Sequence, residues 1–432
     1  MRVLQINVGG FTNIDKVNLS LSDICALLAY NNFGKSNILK AISFGFAYIN
    51  ADAPEKDARM RATQFVPINK KTAGQDYSFN IELEVNVDGV TSIVSYGYSF
   101  AWPRNNKLPH ITYEELKIRG VNDAKAKLYI RRNAEECTYL ASVKGRCSSK
   151  LEIDRNQLAI NKLSNYDTLF YINAVKAVLG VRVVEMDTLA DPKTFFRTIA
   201  ITDGHASFTG DMNSMPDFSS CAYFMYNLKK DNIRKYNLLS DAIVQLIPSI
   251  TDFTPIKVDL KKQTVKLRGE DDVPFYLPEY LYDIRVQERN MNQQVTIERL
   301  SSGTKRIFYI LLMAIAAEIN KIPVLLIEEL ENSIHPSLFQ KLLTIIRTLA
   351  GDTQIILTSH SPYLLQYMNP GLLYVGIPNP NDIAVFKQIK KSKINSLMKD
   401  AYANDMSFGD YIFDMLNDIS NSEDDIIAKF FE

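Results

Sequence analysis

Residues 24–37 constrain the fold of this chain more than any other stretch. Their apolar start, residues 24–28, predicts a short buried strand, and a helical pattern begins at Ser36 after a polar turn. The turn has the spacing of a phosphate-binding P-loop that ends in Gly34, Lys35 and Ser36. Strand, loop and helix in this order direct backbone NH groups of a helix N-terminus at phosphate oxygens.

The chemistry of this loop gives two side chains defined roles. Lys35 is expected to reach the β- and γ-phosphates, and the Ser36 hydroxyl is expected to ligate Mg²⁺. Ala29 stands where the first glycine of such a loop normally lies. If that position needs a positive φ, its Cβ costs about 1 kcal/mol, and we expect weakened rather than abolished nucleotide binding.

Composition describes an ordinary globular protein. The 432 residues are 46% hydrophobic, and 49 basic residues balance 49 acidic ones, so no global field steers the chain toward nucleic acid. The four cysteines are widely spaced, without the spacing of a zinc site, and we interpret them as reduced core thiols. Neither a signal peptide nor an apolar run of membrane-spanning length is evident. We therefore predict a cytoplasmic protein with no membrane contact.

The first third alternates as antiparallel β structure does. Two strands are expected before the loop strand, with a turn at Gly9-Gly10 between them, and Asp88-Gly89 marks a hairpin. The predicted strands of this region are residues 3–8, 14–21, 78–87, 90–100, 114–118 and 126–130.

From about residue 150 the period becomes helical. Apolar spacing predicts helices over residues 154–163, 168–179, 218–230 and 233–247, followed by strands at 255–267 and 282–286. We expect an α/β protein with a mixed sheet, an antiparallel β subdomain and a helical insertion. Its predicted divisions are an N-terminal lobe (1–145), the mainly helical insertion (146–250), a C-terminal lobe (251–375) and a basic and acidic tail (376–432).

The second half contains three further motifs. Leu300-Ser301-Ser302-Gly303, before a long apolar helix, looks like the signature loop of ABC-type ATPases, in which such a serine and its backbone NH groups contact the γ-phosphate held by the opposite subunit. The apolar strand 323–327 ends in Glu328 and Glu329, which looks like a Walker B motif with Glu328 in the aspartate position that binds Mg²⁺. Glu329 is then the catalytic base.

His360 follows the next predicted strand, where a switch histidine would sense the γ-phosphate. Each motif alone has a plainer explanation, because a serine often caps a helix and two glutamates often form a solvated strand end. The order of the four motifs, with short spacing among the last three, favours nucleotide binding over coincidence.

These motifs together resemble the overcoming-lysogenization-defect (OLD) type AAA ATPases, members of the ABC class related to SMC and recombination-repair ATPases. The resemblance covers residues 1–120 and 290–370. It includes the run Tyr-Asn-Asn-Phe-Gly-Lys-Ser-Asn at residues 30–37, and against the family's usual Gly-x-Asn-Asn-x-Gly-Lys-Ser-Asn only Ala29 departs, in the place of the first glycine. It implies ATP and Mg²⁺ as cofactors. The nucleotide-binding residues it implies are Asn31, Asn32, Gly34, Lys35, Ser36, Asn37, Ser301 and Gly303.

The same resemblance implies a head-to-tail homodimer or higher oligomer that sandwiches two ATP molecules. Lys35 and Glu329 of one subunit would meet Ser301 and Gly303 of the other, and the segment 330–336 resembles the D-loop that crosses such an interface. A further magnesium ligand is expected from a glutamine after the loop helix. Gln64 and Gln75 both lie there, and we prefer Gln64.

Full OLD proteins carry a TOPRIM nuclease after the ATPase, and the stretch after His360 is too short for one. The resemblance therefore implies an ATPase that regulates a separate effector protein, a nuclease, as in anti-phage abortive-infection systems. Aliphatic and aromatic residues between the acids of residues 400–432 suggest either a helix packed on its own domain or a surface that docks this partner.

Two other functions stay open. One is a DNA-repair or SMC-like ATPase acting on DNA, with nucleic-acid contact through basic residues that are otherwise solvated surface: Lys229, Lys230, Arg234 and Lys235. The other is an ATP-locked scaffold that does not hydrolyse, for which Ala29 and Glu328 are the arguments.

Overall fold

A computed structural model describes residues 1–87, 89–104, 108–186, 198–200, 216, 220–260, 279–332, 334–419 and 429–432. The described strands are β1 (Arg2–Phe11), β2 (Ile14–Ser20), β3 (Ile24–Leu28), β4 (Tyr77–Val87), β5 (Val90–Ala101), β6 (His110–Gly120), β7 (Lys127–Arg132), β8 (Cys137–Tyr139), β9 (Ser149–Lys150), β10 (Val183–Met186), β11 (Thr198–Ala200), β12 (Ile250–Asp259), β13 (Tyr280–Glu288), β14 (Val295–Thr296), β15 (Val324–Ile327), β16 (Gln354–Ser359), β17 (Leu373–Gly376) and β18 (Phe386–Gln388).

The described α-helices are α1 (Lys35–Asn50), α2 (Ala53–Met60), α3 (Ala159–Leu163), α4 (Ile172–Leu179), α5 (Cys221–Asp231), α6 (Ile233–Leu246), α7 (Ser302–Ile319), α8 (Phe339–Ala350), α9 (Tyr363–Tyr367), α10 (Ile394–Ala403) and α11 (Phe408–Ile419). No helix among them is long and apolar enough to cross a membrane.

The chain divides into two compact units. The first comprises Met1–Glu185, Pro323–Glu329 and Gln354–Glu432, and the second comprises Met186–Ile322 and Leu330–Thr353. The predicted insertion, residues 146–250, is shared between them, since α3 and α4 fall in the first unit and α5 and α6 in the second.

The first unit begins with the predicted antiparallel sheet, whose strand order is β2-β1-β4-β5-β6-β7-β8-β9. All six strands predicted from alternation are confirmed. The first turn is an exception, because β1 continues through Gly9-Gly10 to Phe11 and the chain reverses at Thr12 and Asn13. In the hairpin, Val87 pairs with Val90, Gly89 has a φ of 85°, and Asp88 lies outside the described residues.

Helix α1 packs on this sheet through aromatic side chains. The Tyr77 and Tyr98 hydroxyls each donate to a carbonyl of α1, Ala41 O and Gly45 O, at 2.9 Å. A Cβ on Gly45 would lie 2.2 Å from the Phe79 ring, so glycine permits this close approach. The buried aromatic cluster therefore fixes the helix that carries Lys35 and Ser36.

The second sheet of this unit places the other motifs beside the loop. Its order is β10-β15-β16-β3-β17-β18, with β15, β16, β3 and β17 parallel and β18 antiparallel to β17. Because parallel strands end at a common edge, the segments that follow β3, β15 and β16 emerge together. The antiparallel and parallel sheets confirm the predicted mixed α/β architecture.

The second unit combines a small antiparallel sheet with helices. Strand β13 lies between β11 and β12 and also pairs with β14. Residues 305–317 of helix α7 are buried, and its Phe308 ring meets Phe253 of β12 edge-on at 5.2 Å between ring centroids.

The predicted middle helices are present with altered bounds. Helix α3 begins only at Ala159, because the buried Glu114 carboxylate accepts hydrogen bonds from the Ala159 and Ile160 amides and fixes the start there. Helices α5 and α6 lie close to their predicted positions. Strand β12 ends at Asp259, and residues 261–267 of the predicted strand 255–267 lie outside the described part of the chain.

The end of the chain packs on its own unit. On α11, Ile412, Phe413 and Leu416 are buried, whereas Asp410 and Asp414 are exposed. The apolar side of this helix is therefore occupied, as in the plainer of its two interpretations.

Candidate functional site

The loop between β3 and α1 adopts a conformation that its residues dictate. Asn32 and Gly34 have φ values of 61° and 101°, in the left-handed region that asparagine tolerates and glycine favours. A Cβ on Gly34 would lie 2.9 Å from both Ala384 Cβ and the Asn13 side chain. Only glycine fits there, and the loop leads directly into the N-terminus of a 16-residue helix.

Lys35 is folded back onto its own loop. Only 5% of the residue is exposed, and its ammonium donates to Ala29 O at 2.7 Å and to Tyr30 O at 2.8 Å. A nearly buried charge requires such partners. The loop carbonyls hold the ammonium within the loop that is expected to surround a phosphate.

Ala29 causes no backbone strain. It is not among the described residues with positive φ, so the cost anticipated for a Cβ at this position does not arise. The side chain is instead accommodated by Gly376 at the end of β17, where a Cβ would lie 2.5 Å from Ala29 Cβ. Alanine can therefore replace the usual loop glycine at position 29 because the neighbouring strand has a glycine opposite it.

A cavity of about 950 Å³ lies over the loop and the start of α1. Its lining contains eight of the residues predicted from sequence: Asn31, Asn32, Gly34, Lys35, Ser36, Asn37, Gln64 and Glu329. Gln75 is not part of it, and its side-chain amide donates to Asp15 instead. The cavity thus favours Gln64 over Gln75 as the glutamine near the nucleotide.

Glu329 reaches this cavity through a strained backbone. It follows β15 with a φ of 46°, a region that non-glycine residues rarely adopt, and its amide donates to the Thr358 hydroxyl at 3.0 Å. Thr358 is fully buried on β16. Strain of this kind persists where surrounding structure enforces it, and it is typical of functional positions.

Two predicted residues of this unit lie outside the cavity lining. Glu328 is half-buried directly after β15, and His360 is exposed directly after β16. Both follow strands that end at the same edge as β3, but of the two adjacent glutamates only Glu329 lines the cavity.

Ser301 and Gly303 belong to the second unit. Ser301 is exposed and caps α7, because its hydroxyl accepts a hydrogen bond from the Thr304 amide at 3.2 Å. Behind it, Arg306 is nearly buried and donates to the Asn332 carbonyl at 2.9 Å. The start of α7 thereby holds the predicted D-loop segment, of which Ser333 lies outside the described residues.

Several cavity residues were not predicted from sequence. Thr12 and Asn13 come from the turn between β1 and β2, and the remaining ones are Phe33, Val66, Ile68, Asn69 and Asp382. The Asn13 side-chain oxygen accepts a hydrogen bond from the Asn37 side-chain amide at 2.9 Å, and Thr12 has a φ of 48°. The buried Thr12 hydroxyl has no hydrogen-bond partner among the described residues. No sequence motif links these residues, and the turn predicted at Gly9-Gly10 lay a few residues before the turn that carries Thr12 and Asn13.

Solved structures of SMC heads have a similar fold. An SMC head bound to the C-winged helix domain of ScpA matches with a TM-score of 0.51 and 12% identity, covering 92% of this chain and all of that one. The Thermotoga maritima SMC head gives 0.42 at 11% identity, covering 90% and 100%. A Pyrococcus furiosus SMC head with an extended coiled coil, bound to the C-terminal domain of ScpA, gives 0.47 at 10%, covering 93% and 99%. The first match supports the α/β fold of an ABC-type ATPase head.

No curated protein matches the sequence. A family profile matches residues 31–366, which include most of the phosphate loop, the signature-like segment, and β15 with the glutamates that follow it. Because this match spans well over half of the chain, the chain belongs to the AAA family described as "AAA domain, putative AbiEii toxin, Type IV TA system".

Proposed function

We propose that this chain binds ATP with Mg²⁺ and hydrolyses it slowly, with Glu329 as the catalytic base. One observation carries the proposal: Lys35, Ser36 and Glu329 line a single cavity of about 950 Å³, a volume suited to a nucleotide. The three residues come from the two motifs that phosphoryl transfer requires, one for the phosphates and one for the attacking water.

The side chains divide the work by their chemistry. Backbone amides at the start of α1 donate to phosphate oxygens, while the Lys35 ammonium moves from the Ala29 and Tyr30 carbonyls to the more negative phosphates. The Glu329 carboxylate orients a water molecule and accepts its proton. His360 would hydrogen-bond the γ-phosphate once the site closes.

The donor set fits a magnesium ion. Mg²⁺ in such sites is held by one or two protein oxygens together with phosphate oxygens, and the Ser36 hydroxyl, which lines the cavity, would be one of these. Glu328, acting through water, and Gln64 are the other proposed ligands. When bound, the ion would neutralise charge on the phosphates.

Ser301 and Gly303 would complete the site from a second subunit. Ser301 is exposed at the start of the 18-residue helix α7, where amide groups and the helix dipole favour an anion. A homodimer that closes around two ATP molecules would place this helix start against each γ-phosphate. Closure would then depend on nucleotide state.

We further propose that the chain is an OLD-like regulator of a separate effector protein, a nuclease, in anti-phage defence. The motif resemblance supports this role, as does the family description, which names a type IV TA system. Direct action on DNA is less well supported by the predicted basic residues. Lys235 pairs with Glu318 at 2.7 Å, and Lys229 lies over the Tyr236 ring.

Phosphate release from purified protein with ATP and Mg²⁺ tests the activity. Lys35→Ala should lose ATP binding, whereas Glu329→Gln should bind ATP without turnover. The exposed residues Lys144 and Glu135 supply matched controls, since Lys144→Ala and Glu135→Gln should behave like wild type. Undiminished turnover by Glu329→Gln would remove its assignment as the base.

The same assay separates the alternatives. Stimulation by duplex DNA, lost at high salt, would support action on DNA. Tight ATP binding without phosphate release by wild type would support a non-hydrolysing scaffold.

A further inference from the structure

Tyr30 connects the phosphate loop to the C-terminal helix. Its hydroxyl donates to Phe413 O of α11 at 2.7 Å, and the two rings meet edge-on at 5.1 Å between centroids. These two contacts of one side chain therefore fix α11 to the residue that follows Ala29.

The same residue holds Lys35. The Tyr30 carbonyl accepts a hydrogen bond from the Lys35 ammonium at 2.8 Å. The backbone of Tyr30 therefore contacts the lysine expected to bind phosphate, while its side chain contacts α11. A shift of α11 would move the backbone from which Lys35 departs when phosphate binds.

A second contact ties α11 to the segment that contains His360. Gly409, in the first turn of α11, lies so close to Pro362 that a Cβ would be 2.1 Å from the Pro362 carbonyl oxygen. The Ser407 hydroxyl caps this turn by accepting from the Asp410 amide at 3.1 Å. Helix α11 thus bridges the two loops expected to contact phosphate.

We propose that Tyr30 is a positioning residue for the phosphate loop, and that α11, anchored at Phe413 and Gly409, couples both loops to nucleotide binding. This inference rests on the proposed function. By linkage, if docked α11 favours ATP, then bound ATP stabilises docked α11 to the same extent. The C-terminal helix then reports on the nucleotide without touching it.

Tyr30→Phe tests the proposal, because it removes the hydroxyl and keeps the ring against Phe413. Loss of one hydrogen bond to α11 should raise the Kd for ATP, by at most about tenfold, while kcat at saturating ATP stays near wild type. In wild type, ATP should slow amide exchange in residues 408–419, and this slowing should diminish in Tyr30→Phe.

Two further variants complete the design. Gly409→Ala forces α11 from Pro362 and should raise the Kd in the same direction, whereas Tyr402→Phe, on the 86% exposed Tyr402, should change nothing. An unchanged Kd in Tyr30→Phe, or α11 exchange that ignores ATP, overturns the coupling. If wild type binds ATP and Lys35→Ala does not, the proposed function survives that result; if wild type binds none, both fall.

Discussion

The Glu329 amide donates a 3.0 Å hydrogen bond to the Thr358 hydroxyl, which ties the residue after β15 to the adjacent parallel strand. Thr358 is fully buried, and Glu329 has a left-handed backbone. This bond holds in place a conformation that Glu329 would otherwise leave, and it keeps the carboxylate at the cavity.

Thr358→Val should therefore impair catalysis more than binding. It leaves the Glu329 amide without its acceptor, at a cost of about 1–3 kcal/mol, and frees the carboxylate to move. We expect turnover to fall about tenfold or more with little change in the Kd for ATP. Phosphate release measures the turnover, and nucleotide titration measures the Kd. Thr358→Ser retains the hydroxyl and should remain close to wild type; equal losses in both variants would contradict this role.

Ala29 and Gly376 should be energetically coupled. Gly376→Ala would place a Cβ 2.5 Å from Ala29 Cβ and 2.7 Å from the Phe33 ring, so it should destabilise the protein by about 1–3 kcal/mol. Ala29→Gly should recover part of this loss in the double variant. Urea denaturation of the four proteins gives the coupling energy, and strict additivity would show that the two positions do not share space.

Lys56 should make stability depend on pH. Burial lowers the pKa of Lys56 to about 8, against the opposing effect of Glu114, and its ammonium donates to the Ile49 and Ala51 carbonyls. Between the folded pKa and the ordinary value of 10.5, the unfolded chain binds the proton and the folded chain does not. The free energy of unfolding must therefore rise with pH in that interval, as far as Lys56 determines it.

Chemical denaturation at pH 7 and pH 9.5 measures this effect. The stability of Lys56→Met relative to wild type should be higher at pH 7 than at pH 9.5, because the variant lacks the titrating amine. Lys144→Met, at an exposed position, is the control for removal of a lysine. The interval stops below pH 10 because burial raises the pKa values of Tyr77, Tyr96 and Tyr98. Above pH 10 the unfolded chain loses these phenol protons before the folded chain does, so the free energy of unfolding falls. A pH-independent difference would show that Lys56 does not titrate in this range.

Mixing two inactive variants should restore turnover if the site is shared between subunits. Lys35→Ala disables the site on its own subunit, whereas Ser301→Arg disables the site on the partner. A mixed dimer retains one site with both Lys35 and Ser301 intact. We expect each variant alone to be inactive and the mixture to recover up to about half of the wild-type rate per mixed dimer. Recovery absent from a mixture shown to contain mixed dimers would contradict a shared site.

The spacing of apolar and polar residues along the chain predicted those elements of the fold that depend on neighbouring residues alone. Alternation located β4 and β5, and a strand, loop and helix located Lys35 and Ser36. The rest of the cavity could not be found in this way. Thr12, Asn69 and Asp382 lie on separate loops with no shared motif, and long-range pairing of strands brings them to the same place. The strained backbone of Glu329 likewise depends on Thr358, which no pattern near Glu329 reveals.

The position of β3 between β16 and β17 has a consequence for the timing of synthesis. The P-loop strand is made among the first residues, yet both of its hydrogen-bonded neighbours come from the last quarter of the chain. A similar bond joins the Val3 amide to the Gln354 side chain across 351 positions. At about 5–20 residues per second, a ribosome adds the strands that flank β3 only well after β3 itself. A chain that has not yet acquired β16 and β17 lacks both strands that flank β3, so the phosphate loop can reach the arrangement described above only after both strands have been made.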